Sequence, residues 1–376
     1  MQSGKSFPGQ QGVALISILL VVVIATVLGV KMTTEQHFSI NRARNYFDQG
    51  KIRQYTLGGE ELARQLLHKD FAEHPEKDLL SEAWASRELV FEFEEGEIEL
   101  QIDDLQGRFN LNSLVSPAIE STGEIGSGID DNNEDDVVND TTNPANDEEQ
   151  GSSNGQDRPG QSTDAANLAM TRFRALLNQQ GLDPVFADRI RDWIDNNQDV
   201  TQLGAEDFDY LGLERPYRTS DSPMADLSEL RLILDIDPAT FAALEPLVTT
   251  LPVQVNLVNV NTAPGGVLQA IVGSGLTPEA AEAMALQRDE SEGYDSVQSF
   301  LQADSLAGQG VSPDGLSVQS SFFKVSVRAR IGDRFGYLSS VIQRNPTDGS
   351  MRVIYRDSSK KIYPIVADPE LRTESS

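Results

Sequence analysis

Residues 13–30 read VALISILLVVVIATVLGV, eighteen positions without a charge. Coiled as a helix, such a run is about 27 Å long, close to the hydrocarbon thickness of a bilayer. A buried core helix needs only one apolar face; this run is apolar all round and predicts a membrane-inserted helix. From Lys31 to about residue 69 the apolar residues keep helical spacing, with a soft spot at Gly58-Gly59. In ELARQLLHKDF (61–71) they fall three to four apart, the mark of one buried face. The period then changes. ELVFEFEEGEIELQI (88–102) alternates polar and apolar residues on both sides of Glu95-Gly96, with Phe91 and Phe93 on one arm and Ile98, Leu100 and Ile102 on the other. That pattern predicts a β-hairpin with one buried face, ended by QGRFNLNSL (106–114). Alternation returns in SFFKVSVRARIG (321–332), FGYLSSVIQR (335–344) and MRVIYRD (351–357), three further strands. A long helix on a small antiparallel sheet is an α+β arrangement. Because the sheet is split in sequence, the middle of the chain is an insertion.

The insertion opens on a low-complexity stretch. Residues 120–157 hold no Lys or Arg and are dense in Asp, Glu, Asn, Gly and Ser. Such a composition suits a solvated loop, or an accessory calcium-binding loop of no fixed geometry. From Asp164 to about Leu316 the pattern is helical, punctuated by Pro and Gly. Two stretches, 228–252 and 259–301, both read helix, turn, helix, with N-cap-like starts at NTAP and LTPE. The second resembles a helix-hairpin-helix element, in which Gly273-Ser274-Gly275 fits the turn. Its DNA-binding form wants Lys or Arg nearby. Here Glu279, Glu282, Asp289 and Glu290 surround the turn and repel phosphate, so a packing or partner-binding role is expected.

Composition narrows the function. Among 376 residues, Asp and Glu outnumber Lys and Arg 59 to 30, for a formal net charge of -29, which argues against a nucleic-acid partner. The absence of cysteine excludes disulfides, thiolate zinc sites and cysteine nucleophiles. The three histidines, His37, His68 and His74, all lie in the first fifth of the chain, so no His-based triad is available to the rest. GxSxG, HExxH and GxxxxGK[ST] are missing as well, and no enzymatic activity is expected.

The densest chemical constellation is IRDWIDNNQDVTQLGAEDFDY (190–210). Asp195, Asn197 and Asp199 occupy alternate positions, Thr201 stands where a backbone carbonyl is donated, and Glu206 lies eleven residues after Asp195. These offsets match positions 1, 3, 5, 7 and 12 of a calcium loop, in which short oxygen side chains converge on a hard cation and a later Glu closes the shell. Position six is Val200 rather than glycine, so a different path for the loop is open. Asp192, Asp207 and Asp209 are spare ligands. The competing reading is a helix end at Trp193-Ile194 capped by Asp195 and followed by a polar loop.

The segment before the apolar run, MQSGKSFPGQQG, is a short polar leader ending in Gly12, and no small-residue cleavage site follows the apolar run. Polar leader, glycine, apolar helix and helical extension together resemble the class III leader of type IV pilins and type II secretion pseudopilins. That resemblance implies that a prepilin peptidase cuts between Gly12 and Val13 and methylates the new N-terminus. Most relatives carry glutamate at the fifth mature position; here it is Ser17. A carboxylate that pairs with the subunit already in place is not needed where nothing stands above, so Ser17 points to a filament tip, or to chance variation.

DDLQGRFNLNSL (103–114), GLDPVFADRIRDWIDNNQDVTQLGAEDFDY (181–210), ERPYRTSDSPMADLSELRLI (214–233) and VNVNTAP (258–264) follow in that order. With the leader, they resemble the minor pseudopilin K family of type II secretion systems over nearly the whole length. The resemblance implies a pilin-like α+β core, its long N-terminal helix packed on a small antiparallel sheet, interrupted by a large inserted helical domain of SAM-like or helix-hairpin-helix-like type. It implies a place at the pseudopilus tip with minor pseudopilins I and J, and contact with the assembly platform. It implies one inner-membrane span with the bulk in the periplasm, structural calcium in the inserted domain, and no nucleic acid. The rival reading is a membrane-anchored DNA receptor of competence type. The domain map expected is a leader at 1–12, a membrane helix at 13–30, core at 31–112, acidic loop at 113–163, inserted domain at 164–316, and core strands with a tail at 317–376.

Overall fold

The computed structural model describes residues 11–87, 89–115 and 159–359. Most of the expected leader, the acidic stretch 120–157 and the C-terminal tail lie outside the described residues. In chain order the elements are α1 (Gln11–Glu73), β1 (Leu89–Phe93), β2 (Gly96–Asp104), β3 (Phe109–Asn110), α2 (Pro159–Gln179), α3 (Val185–Ile194), α4 (Asp207–Leu211), α5 (Pro238–Leu244), β4 (Val248–Thr249), β5 (Val258–Asn259), α6 (Gly265–Val272), α7 (Pro278–Glu290), α8 (Val297–Leu301), β6 (Leu316–Ser317), β7 (Phe322–Ile331), β8 (Arg334–Arg344) and β9 (Met351–Asp357). Contacts divide them into two compact units, residues 1–73, 82–103 and 323–376 in the first and residues 74–81 and 104–322 in the second.

In the first unit, α1 joins the apolar run and the amphipathic stretch in one rod. Its early side chains are exposed, Leu15, Ile16 and Ile18 by 65–68%. The few polar groups there are satisfied inside the helix: the Thr26, Thr33 and Thr34 hydroxyls donate to the carbonyls four residues back. This helix is long and apolar enough to cross a membrane. Toward its C-terminal end one face becomes buried, with Ala63 and Leu67 fully covered. The soft spot at Gly58-Gly59 does not break the rod. A Cβ on Gly59 would stand 2.5 Å from Val327 Cγ1, so glycine lets helix and sheet approach closely.

The sheet runs β1-β2-β7-β8-β9. The predicted hairpin pairs Phe91 with Ile98 and Phe93 with Gly96, and β8 pairs antiparallel with β9 around an irregularity at Val341/Ile342. Alternation directs Ile98, Leu100, Ile102, Phe323, Val325, Val327, Leu338 and Ile342 into one core with Trp84. Two polar groups are built into it. Glu60 on α1 accepts from Arg356 at 2.6 and 2.8 Å and from Ser340, which holds its carboxyl below the usual range despite burial. The Arg344 guanidinium lies 4.7 Å from the Phe323 ring centre and 5.2 Å from that of Phe71.

The second unit is helical around one large core. It includes residues 104–112. Phe109 stacks on Phe173 of α2 at 5.1 Å, and Leu111 and Leu114 are fully buried. The polar residues of the same run act as staples. Asn112 Nδ2 donates to the Met224 and Leu251 carbonyls while its Oδ1 accepts from Met224 N–H, and Asn110 bridges Leu251 and Val255. Short parallel ladders, β3 with β4 and β5 with β6, complete the unit.

Candidate metal centre

Helix α3 buries Phe186, Ile190, Trp193 and Ile194 on one side, which fixes where its last turn points. Trp193 packs against Tyr210 at 5.4 Å and Tyr217 at 6.3 Å, forming an aromatic floor. Asp192, on that last turn, is fully buried. It accepts from Thr201 N–H with both oxygens, at 3.1 and 3.2 Å, and so folds the following loop back onto the helix. The turn needs positive φ, and it falls at Gln202 (φ 43) rather than at Val200. Gly204 then passes so close to Asp192 that a Cβ there would lie 1.8 Å from Oδ2. Next comes Glu206, at the start of α4 and only 2% exposed; neither of its carboxylate oxygens has a hydrogen-bond partner.

The electrostatics of this loop are costly. Burial, then the charges of Asp192, Asp195, Asp221 and Asp207, push the Glu206 carboxyl up to about 8. Burial pushes Asp192 up to about 6 against the pull of its Thr201 hydrogen bonds, with Asp195 and Asp188 adding to the rise. Asp195 is raised as well, chiefly by burial. A carboxylate buried without hydrogen bonds is rare in folded proteins and asks for an explanation. A cation near Asp192, Asp195 and Glu206 would cancel their mutual repulsion, although their carboxylate oxygens are not gathered into one ligand set as they stand.

The sequence-predicted ligands are placed as follows. Asp195, half-buried, caps α3 and accepts from Asn197 Nδ2 at 2.7 Å. Asn197 and Asp199 are exposed, and the Asn197 Oδ1 accepts from Asp199 N–H at 2.7 Å. The Thr201 carbonyl accepts from Gly204 N–H at 2.6 Å. Asp207 is held by Arg218 at 2.9 Å and by Thr219, and Asp209 accepts from Glu206 N–H. Spacing could not reveal Asp221. It arrives from a separate loop, held by Gln198 at 3.1 Å and by the Thr219 hydroxyl at 2.7 Å.

The hairpin of α6 and α7 serves packing: Val267, Leu268, Leu276, Ala281 and Met284 are buried in the core of the second unit. Gly12 and Val13 fall in the first turn of α1.

Comparison with known proteins agrees with this architecture. Residues 107–253 and 258–319 match the family described as type II secretion system (T2SS), protein K. The type II secretion system protein K of Pseudomonas aeruginosa is 32% identical over 369 residues, covering 95% of each chain. That of Pectobacterium carotovorum is 29% identical over 86% of this chain and 89% of its own. A chain in the crystal structure of the GspK-GspI-GspJ complex from enterotoxigenic Escherichia coli shares the fold, with a TM-score of 0.64, 24% identity, and coverage of 85% of this chain and 100% of that one. The chain belongs to the protein K family of type II secretion systems: a minor pseudopilin, structural rather than catalytic, of the inner membrane with its body in the periplasm, whose described residues include one helix long and apolar enough to be the anchor, and acting in pseudopilus-mediated protein secretion.

Proposed function

We propose that this chain caps the pseudopilus beside the minor pseudopilins I and J, and that calcium stiffens its inserted unit. The observation that carries the position is the insertion itself. Residues 104–322 are inserted in the chain between β2 and β7, neighbouring strands of a five-stranded sheet, and we take this added bulk to be what stops further subunits from stacking above. The E. coli relative occurs in a complex with GspI and GspJ, which supports the same partners here. Cleavage between Gly12 and Val13 frees the apolar helix from its leader, and packing against sister helices then replaces lipid contact. Ser17 in place of glutamate suits a subunit with no successor.

For the cation, calcium fits a site of carboxylate oxygens with no nitrogen or sulfur donor. Asp192, Asp195 and Glu206 are the ligands we assign first, with the Thr201 carbonyl, Asp207 and Asp221 around them. Of the set expected from spacing, Asn197 and Asp199 would have to turn inward from the exposed side of the loop to take part. Bound calcium would supply charge neutralisation and a fixed shape, and no chemistry.

The position is tested by gold-labelling an epitope on this chain in sheared pseudopili. Label confined to one filament end supports it; label along the shaft refutes it. Gly12→Arg tests processing, since the uncut chain should persist as a longer product, and normal maturation would contradict the leader.

A further inference from the structure

Away from the cation loop, a second buried acidic group lies where the chain enters and leaves the second unit. Asp104 is the last residue of β2, and Asp78 belongs to the segment 74–81; they are 7% and 0% exposed. Both hold the same serine. Ser320 N–H donates to Asp78 Oδ2 at 2.7 Å, and the Ser320 hydroxyl donates to Asp104 Oδ2 at 2.6 Å. The Thr262 hydroxyl donates to the same Asp104 oxygen at 2.5 Å, and Asn259 Nδ2 reaches that oxygen, Ser320 Oγ and the Asp78 carbonyl. Gln106 N–H donates to Asp104 Oδ1 at 2.8 Å. Three stretches, at 106, 259–262 and 320, therefore meet on the Asp104 carboxylate, and Asp78 joins them through Ser320 and Asn259.

We propose that Asp104 and Asp78 form a proton-taking clasp that grips Ser320 and firms the second unit as its surroundings acidify. Among the described residues, the groups that hydrogen-bond to Asp104 are polar and uncharged. Asp78 comes from segment 74–81, whose Lys77 turns to Asp295 at 2.6 Å. Asn259 and Thr262 come from the β5 region, where the Arg288 guanidinium is spent on the Val260 and Ala263 carbonyls and on Asp289. The turn after β2 offers the Gln106 amide, and the segment before β7 offers Ser320. Burial first, and the Asp78 charge after the opposing Ser320 and Thr262 hydrogen bonds, push the Asp104 carboxyl up to about 6.

A proton can be accommodated without breaking the cluster. Thr262 Oγ1 also lies 3.4 Å from the Asn259 carbonyl, so its hydroxyl can donate there and accept from a protonated Asp104. The folded form then binds a proton that the unfolded chain releases two pH units lower. Stability from this group is complete below about 4 and is lost as pH rises through 6.

The test is chemical unfolding of the full chain in detergent at pH 5 and pH 7.5, for the wild type and for Asp104→Asn. The wild-type unfolding constant should fall about tenfold at the lower pH beyond any change in the variant. Asp78→Asn should move this transition to lower pH. In the unmodified chain, hydrogen exchange at 104–108 and 318–322, corrected for its intrinsic rate, should slow by a similar factor. Parallel wild-type and D104N profiles, or exchange indifferent to pH should D104N fail to fold, would overturn the clasp.

Discussion

Replacing Glu206 with glutamine should stabilise the protein in chelator and destabilise it in calcium. The argument starts from its two buried oxygens without hydrogen bonds. A free glutamate loses its proton near 4.5, whereas this one keeps it until about 8. Without a cation at pH 7, folding must draw a proton onto Glu206 from water, at a cost of about 3 kcal/mol for the gap between 4.5 and 7. Because the folded value is raised, stability from this group is full below about 4.5 and lost as pH climbs through 8. Glutamine never needs the proton, and its amide can donate to the surrounding carboxylates. For a unit of this size, about 3 kcal/mol corresponds to roughly 6–12 °C in melting temperature, gained by Glu206→Gln in chelator. With calcium present the sign reverses: the wild type gains binding energy by linkage, and the variant has lost an anionic ligand. Calorimetry of both proteins, with chelator and with millimolar calcium, reads the crossing directly. An equal loss of melting temperature in both conditions would mean that Glu206 is an ordinary structural carboxylate and would refute the metal reading.

Three further outcomes follow from the same geometry. Calcium affinity should rise from pH 6 to pH 8, because Glu206 and Asp192 must shed protons to bind; titration calorimetry in buffers of different ionisation enthalpy would show proton release, and a pH-independent affinity would count against both ligands. Gly204→Ala sets a Cβ 1.8 Å from Asp192 Oδ2, so the loop must shift; stability should drop by about 1–3 kcal/mol and calcium binding should weaken, as equilibrium dialysis would detect. Phe323→Ala empties a fully buried position against Trp84 and should cost about 3–5 kcal/mol by urea denaturation.

What could be read from sequence, and what could not, follows the range of the interactions. The membrane rod, the 88–102 hairpin and the three late strands are each specified by a period inside one short stretch, and each stands where that period put it. Gly58-Gly59 reads as a weakness because propensity is local, whereas its use is a contact with Val327, far along the chain. The run FNLN looks like the end of a hairpin until Asn110 and Asn112 are seen bonded to backbone at 224, 251 and 255, which makes it the seam of another core. The acidic loop divides in the same way. Spacing within 195–206 singles out a regular series of oxygens, but the buried positions are Asp192 and Glu206, and Asp221 joins them from fifteen residues past Glu206. Alternate spacing along an exposed loop therefore ranks ligands by convenience of sequence, whereas desolvation ranks them by need. The carboxylate with no hydrogen bond and the largest upward shift, Glu206, is the one whose substitution separates the two rankings.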